Sequence, residues 1–106
     1  MLSQQDRKIA QLYKARLKGL IPLVRMMVYG SRARGDARLD SDLDIYIEIS
    51  SVTPELRRQI SEIAWVVGFE HNIVISTFVV TPQVLHDSPI GANPILKVIE
   101  KEGIVL

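Results

Sequence analysis

A chain of 106 residues is the length of one domain, and it buries about 60–70% of its unfolded surface, which makes a modest core. A net charge of +1 argues against a protein that coats nucleic acid by bulk charge, so nucleic acid is not the expected partner. The absence of cysteine excludes disulfides and thiolate metal sites. No apolar run approaches the ~20 residues that span a bilayer. The N-terminus, Met-Leu-Ser-Gln-Gln-Asp, has no signal-peptide apolar region, so the expectation is a cytoplasmic chain forming one domain over residues 1–106.

In chain order, Ile9, Leu12, Tyr13, Leu17 and Leu20 recur at helical spacing, predicting an amphipathic helix over residues 3–20 with Ser3 as its cap. Gly19 and Pro22 close it. Val24 to Tyr29 reads as a short apolar strand with Met26 and Met27 in the core. Gly30 to Gly35 reads as a sharp turn holding a brief helix, with Ser31 near its start. From Leu43 to Ile49 the pattern alternates: Leu43, Ile45, Ile47 and Ile49 take one face, and Asp42, Asp44, Tyr46 and Glu48 the other.

Pro54 opens a second long helix, capped by Thr53 or Ser51, with a buried stripe of Leu56, Ile60, Ile63 and Val67 and an end at Gly68. Trp65 and Val66 widen that stripe; they read as core, with a partner contact as the alternative, and the extended apolar face suits a homodimer. Asn72 to Val80 reads as a third strand, Pro82 to about Asp87 as a short helix, and Ser88 to Asn93 as a loop. Pro94 to Glu102 is a last helix, ended by Gly103. The order predicts an α/β (α+β) fold: a small mixed sheet packed with helices.

One run carries chemistry. Gly30-Ser31 follows a strand, ten residues intervene, and Asp42-Leu43-Asp44 opens the next strand. Asp42 and Asp44 lie two apart on a strand and share a face, where two carboxylates repel unless a cation sits between them. Mg²⁺ prefers oxygen ligands and is commonly held by one or two carboxylates plus substrate phosphates. Gly30 lets backbone approach a phosphate without a Cβ in the way, and Ser31 adds a hydroxyl beside free N–H groups. Arg32 and Arg34 offer guanidinium donors for triphosphate oxygens. Either half alone would be an ordinary turn or a solvated strand entrance; together, each against a strand, they point to a phosphate and metal site.

Gly-Ser-Arg-Ala-Arg-Gly…Ser-Asp-Leu-Asp, residues 30–44, resembles the hallmark of the minimal nucleotidyltransferases, the MNT-type members of the DNA polymerase β-like superfamily. The resemblance implies a palm-like nucleotidyltransferase fold. It implies transfer of a nucleoside monophosphate, AMP from ATP, to an acceptor hydroxyl. It places Gly30, Ser31, Arg32 and Arg34 on the triphosphate and Asp42 and Asp44 on Mg²⁺, two ions in the full arrangement. Family members usually carry a third carboxylate on the next strand. An Asp-x-Val-Thr-Pro ending puts that slot at Phe78, and a longer alignment puts it at Asn72, Ser76 or Glu70, of which only Glu70 is acidic. MNT-type proteins often pair with a small helical HEPN-domain toxin, which implies an antitoxin that adenylylates its partner. The gap on the third strand implies the alternative, a binding module that neutralises the partner by complex formation alone.

Overall fold

The computed structural model describes residues 1–87 and 93–106. Its elements run α1 (Gln4–Leu17), β1 (Leu23–Tyr29), α2 (Ser31–Arg34), β2 (Leu43–Ile49), α3 (Pro54–Glu70), β3 (Ile75–Val80), α4 (Pro82–Asp87), α5 (Pro94–Glu102) and β4 (Ile104–Val105). The sheet order is β3-β2-β1-β4. β1 pairs antiparallel with β2 and with β4, while β2 and β3 are parallel, joined by the α3 crossover that parallel pairing requires. The expected mixed sheet with helices is therefore the observed fold.

Alternation in β2 builds two apolar layers. Leu43, Ile45, Ile47 and Ile49 pack with Met26 and Val28 against Ile9, Tyr13 and Leu17 of α1 and Ile60, Ala64 and Val67 of α3. On the other face Met27, Tyr46 and Val80 meet Leu96 and Ile99 of α5. Burying the apolar side of each element supplies roughly 25 cal/mol per Å². Within the first layer the Tyr13 hydroxyl donates to the Ile60 carbonyl at 2.8 Å, tying α1 to α3, and burial pushes the Tyr13 phenol up.

Several boundaries differ from the sequence expectation, each for a local reason. α1 ends at Leu17, because Lys18 is already extended and Leu20 N–H returns to the Leu17 carbonyl. Gly68 does not stop α3, which runs to Glu70. It is buried, and a Cβ there would run into the Ile73 carbonyl, so it serves close packing of the strand entry. β3 starts at Ile75 rather than Asn72, whose φ of 55° turns the chain sharply. Thr53 is the α3 cap, accepting from Leu56 N–H at 3.1 Å. Trp65 and Val66 are not core: they are 69% and 43% exposed, and the Trp65 ring stacks on exposed Phe69 at 5.3 Å. Positions 88–92 of the expected loop lie outside the described residues, and Asn93 caps α5 through its side chain. The two-residue strand β4 has no counterpart in the sequence pattern.

Candidate nucleotide and metal site

β1 delivers the Gly30 turn and β2 delivers the carboxylates to the same end of the sheet. The register pairs Tyr29 with Asp44, so the turn that follows Tyr29 folds directly over the Asp44 side chain. Gly30 has φ 80° and ψ −161°, a conformation essentially reserved for glycine, and a Cβ there would run into Asp44 Oδ2. Arg34 N–H closes the first helical bond of α2 on the Gly30 carbonyl at 3.1 Å, so the N–H groups of Ser31, Arg32 and Ala33 precede that ladder. The arrangement brings the Gly30 turn, with Ser31 next in the chain, onto the Asp44 carboxylate, and Asp42 lies close enough to Asp44 to act on its charge.

Electrostatics at this place disfavour the ionised form of Asp44. Burial and then the neighbouring Asp42 carboxylate push the Asp44 carboxyl above its ordinary 3.8, and the Arg34 guanidinium pulls it partly back. Burial and the Asp44 charge likewise push the Tyr29 phenol up. Because the folded value of Asp44 is raised, its proton stabilises the fold at low pH, and that contribution is lost as pH rises through the folded value. Asp44→Asn is therefore expected to raise the stability of the metal-free protein at pH 7 by about 0.5–1 kcal/mol. The gain should shrink toward pH 4, which thermal melts at both pH values without divalent ions will check.

The structure distributes the remaining expected residues differently. Arg34 is exposed and donates to Asp36 at 3.2 Å and to Glu102 at 3.1 Å, while its charge is felt at Asp44. Arg32, expected on the phosphates, points inward. Its Nε donates to Ser41 O at 2.8 Å, Nη2 to Leu39 O at 3.1 Å, and Nη1 to both Asp6 oxygens at 3.1 and 3.2 Å. Glu70 is not brought to the pair. It closes α3 and holds Arg16 at 2.6 and 3.2 Å, which depresses its carboxyl, and β3 does not run back to it. Among the described residues no three acidic or histidine side chains converge as a metal cluster.

On β3, Ser76 is the register partner of Asp44 and Phe78 that of Tyr46, with their two rings 6.4 Å apart. The strand beside the carboxylates therefore presents a hydroxyl and an aromatic. Arg25, which alternates away from the core, is satisfied by Glu48 at 3.4 Å and lies over the Tyr46 ring. A groove of about 720 Å³, flanked by Trp65, Phe69, Val74, Leu39 and Asp40, runs between α3 and the start of β3, and none of Gly30, Ser31, Asp42 or Asp44 lines it. The residue the sequence reading misses is Asp6, buried against Arg32. It sits on the α1 stripe with Ile9, Ala10 and Tyr13, and an acid on an apolar stripe is the signal that marks it.

The mixed sheet thus sets a glycine turn over the Asp44 carboxylate, with the Asp42 carboxylate close by. Residues 7–105 match the nucleotidyltransferase domain family, and the chain belongs to that family. No curated protein matches the chain. Among solved structures, a minimal nucleotidyltransferase is similar at 23% identity and a TM-score of 0.63, with all of this chain and 97% of that one covered. A toxin–antitoxin complex, MntA–HpeT, is similar at 17% identity and a TM-score of 0.61, covering all of this chain and 72% of that one. A toxin–antitoxin with AMP-PNP is similar at 17% identity and a TM-score of 0.59, covering 94% of this chain and 70% of that one. The fold is that of the minimal nucleotidyltransferases. Among the described residues no helix is long and apolar enough to cross a membrane.

Proposed function

We propose that this chain binds ATP with Mg²⁺ and transfers AMP to a hydroxyl of a partner protein, acting as the antitoxin of a HEPN-type toxin. The observation that carries the reading is the Gly30 backbone folded onto the Asp44 carboxylate. Asp42 and Asp44 would hold the metal, and the donor set fits: two oxygen ligands, mutually repelling, beside a turn open to phosphate. Mg²⁺ bound there supplies charge neutralisation for the triphosphate and the leaving pyrophosphate.

Gly30 keeps the turn close, Ser31 and the first N–H groups of α2 seat phosphate oxygens, and Arg34 adds positive charge at the rim. In the reaction the acceptor oxygen bonds to the α-phosphorus. The bond from that phosphorus to the oxygen bridging the β-phosphorus breaks, pyrophosphate leaves, and the acceptor proton passes to solvent or a nearby base. The toxin–antitoxin neighbours support a toxin as partner, and AMP-PNP in one of them supports ATP as donor. The reading admits a homodimer through the exposed α3 face.

A second reading rests on Ser76 and Phe78. With no acid on β3 beside Asp44, the chain would neutralise its partner by occupying it, without transfer. Mass spectrometry of the chain incubated with Mg²⁺–ATP and the protein encoded beside it separates the two. An AMP added to the partner, and lost when Asp42→Asn and Asp44→Asn are combined, is the expected result. A stable complex with no added mass supports the binding module. Unchanged Mg²⁺–ATP affinity in the double variant removes the site assignment.

A further inference from the structure

We propose that Arg32 is a positioning residue: with Asp6 it forms an internal clamp that fixes the approach of the chain to Asp42. The inference rests on the nucleotide reading of the site and assigns Arg32 a role other than phosphate ligand. All three guanidinium nitrogens are committed to the protein, Nη1 to both Asp6 oxygens and Nε and Nη2 to the carbonyls of Ser41 and Leu39. The pair is nearly buried, with side chains 13% and 11% exposed.

The segment it holds has little else to anchor it. Leu39 is fully exposed, Arg38 and Asp40 are exposed, and the local bonds are those between Arg38 and Ser41. Ser41 immediately precedes Asp42. Asp6, by contrast, belongs to α1, which Ile9, Tyr13 and Leu17 root in the core. The clamp thus references a metal-binding carboxylate to the rigid helical layer. A planar five-donor guanidinium can serve a carboxylate and two carbonyls at once, whereas a lysine ammonium cannot cover that spread.

Asp6→Asn separates the roles, because it leaves Arg32 intact. Both Asp6→Asn and Arg32→Lys are to be made in the full chain, with circular dichroism as the check of fold. Amide hydrogen exchange reads the loop, and titrations with Mn²⁺ alone and with Mg²⁺–ATP read the site. The expected result in both variants is exchange at residues 38–42 faster by about tenfold or more and metal affinity weaker by about tenfold, the scale of lost outer-shell support. Unchanged loop exchange overturns the clamp. Faster exchange with unchanged Mn²⁺ affinity reduces the pair to a structural role and also overturns the proposal. Unchanged or tighter Mg²⁺–ATP binding in Asp6→Asn, with loss in Arg32→Lys, returns Arg32 to the phosphates. A wild-type chain that binds Mn²⁺ but not Mg²⁺–ATP defeats the nucleotide reading alone, and the exchange and Mn²⁺ measurements still judge the clamp.

Discussion

Gly30→Ala should abolish Mg²⁺–ATP binding and lower the stability of the chain by about 2–3 kcal/mol, the scale of forcing a side chain into glycine-only backbone space. Two independent costs meet at this position. The φ of 80° with ψ −161° strains any residue that carries a Cβ, and that Cβ would collide with Asp44 Oδ2. Relief of the collision moves either the turn or the carboxylate, and each movement separates phosphate donors from metal ligands. For a domain of this size the stability loss corresponds to a melting temperature lower by about 10–20 °C. The collision can be isolated with Asp44→Ala. In a double-mutant cycle the combined variant should be more stable than the sum of the single effects predicts, because the carboxylate that the added methyl would strike is gone. Strict additivity would mean that the turn and the carboxylate are not in contact. A Gly30→Ala chain that melts like wild type and binds Mg²⁺–ATP normally would remove Gly30 from the site.

The site is legible in the sequence where its parts are close together and each is fastened to a strand. Gly30, Ser31, Asp42 and Asp44 flank a single antiparallel connection, so reading two strands correctly is enough to bring them together. The first two long-helix caps are legible for the same reason, since Ser3, and Thr53 of the pair Thr53 and Ser51, bond within three residues, whereas Asn93 reads only as the end of a loop. What is not legible depends on partners distant in sequence. Arg32 lies in a phosphate-type motif, and only folding α1 beneath it reveals Asp6, which takes up its charge. Glu70 has the right parity for the third-strand slot, but parity counts only inside a strand. The left-handed Asn72 and the helical end of α3 break that count. Trp65 adjoins Ala64, and the core face of α3 is already filled by Ile60, Ala64 and Val67, so the ring turns outward and stacks on Phe69. β4, two residues long, is too short for any period to show.

Ser76→Asp should tighten divalent-metal binding by about tenfold, equivalent to about 1.4 kcal/mol. The argument is the register. Ser76 pairs with Asp44 across neighbouring parallel strands, spaced about 4.8 Å apart, with both side chains on one face. An acid there would join Asp42 and Asp44 as a third oxygen ligand from the protein, on the strand where the sequence resemblance implies one. The metal-free variant should suffer for it. A further carboxylate near Asp44 raises that group's proton affinity again, so the stability penalty on ionisation grows as pH rises, and added Mg²⁺ should recover more of the melting temperature than in wild type. Phe78→Asp is the informative comparison. Phe78 faces Tyr46 deeper in the sheet and packs on the layer formed with α5, so an acid there loses apolar contact and sits opposite Tyr46 rather than Asp44. It should cost about 2 kcal/mol or more without tightening metal binding. Mn²⁺ titration and melts with and without Mg²⁺ at pH 7 decide between the two positions. Tighter metal binding in Ser76→Asp, together with faster AMP transfer to the partner, would show that the wild-type chain works with an incomplete carboxylate set. Tighter binding with no transfer would leave the nucleotide as a ligand and the complex as the function.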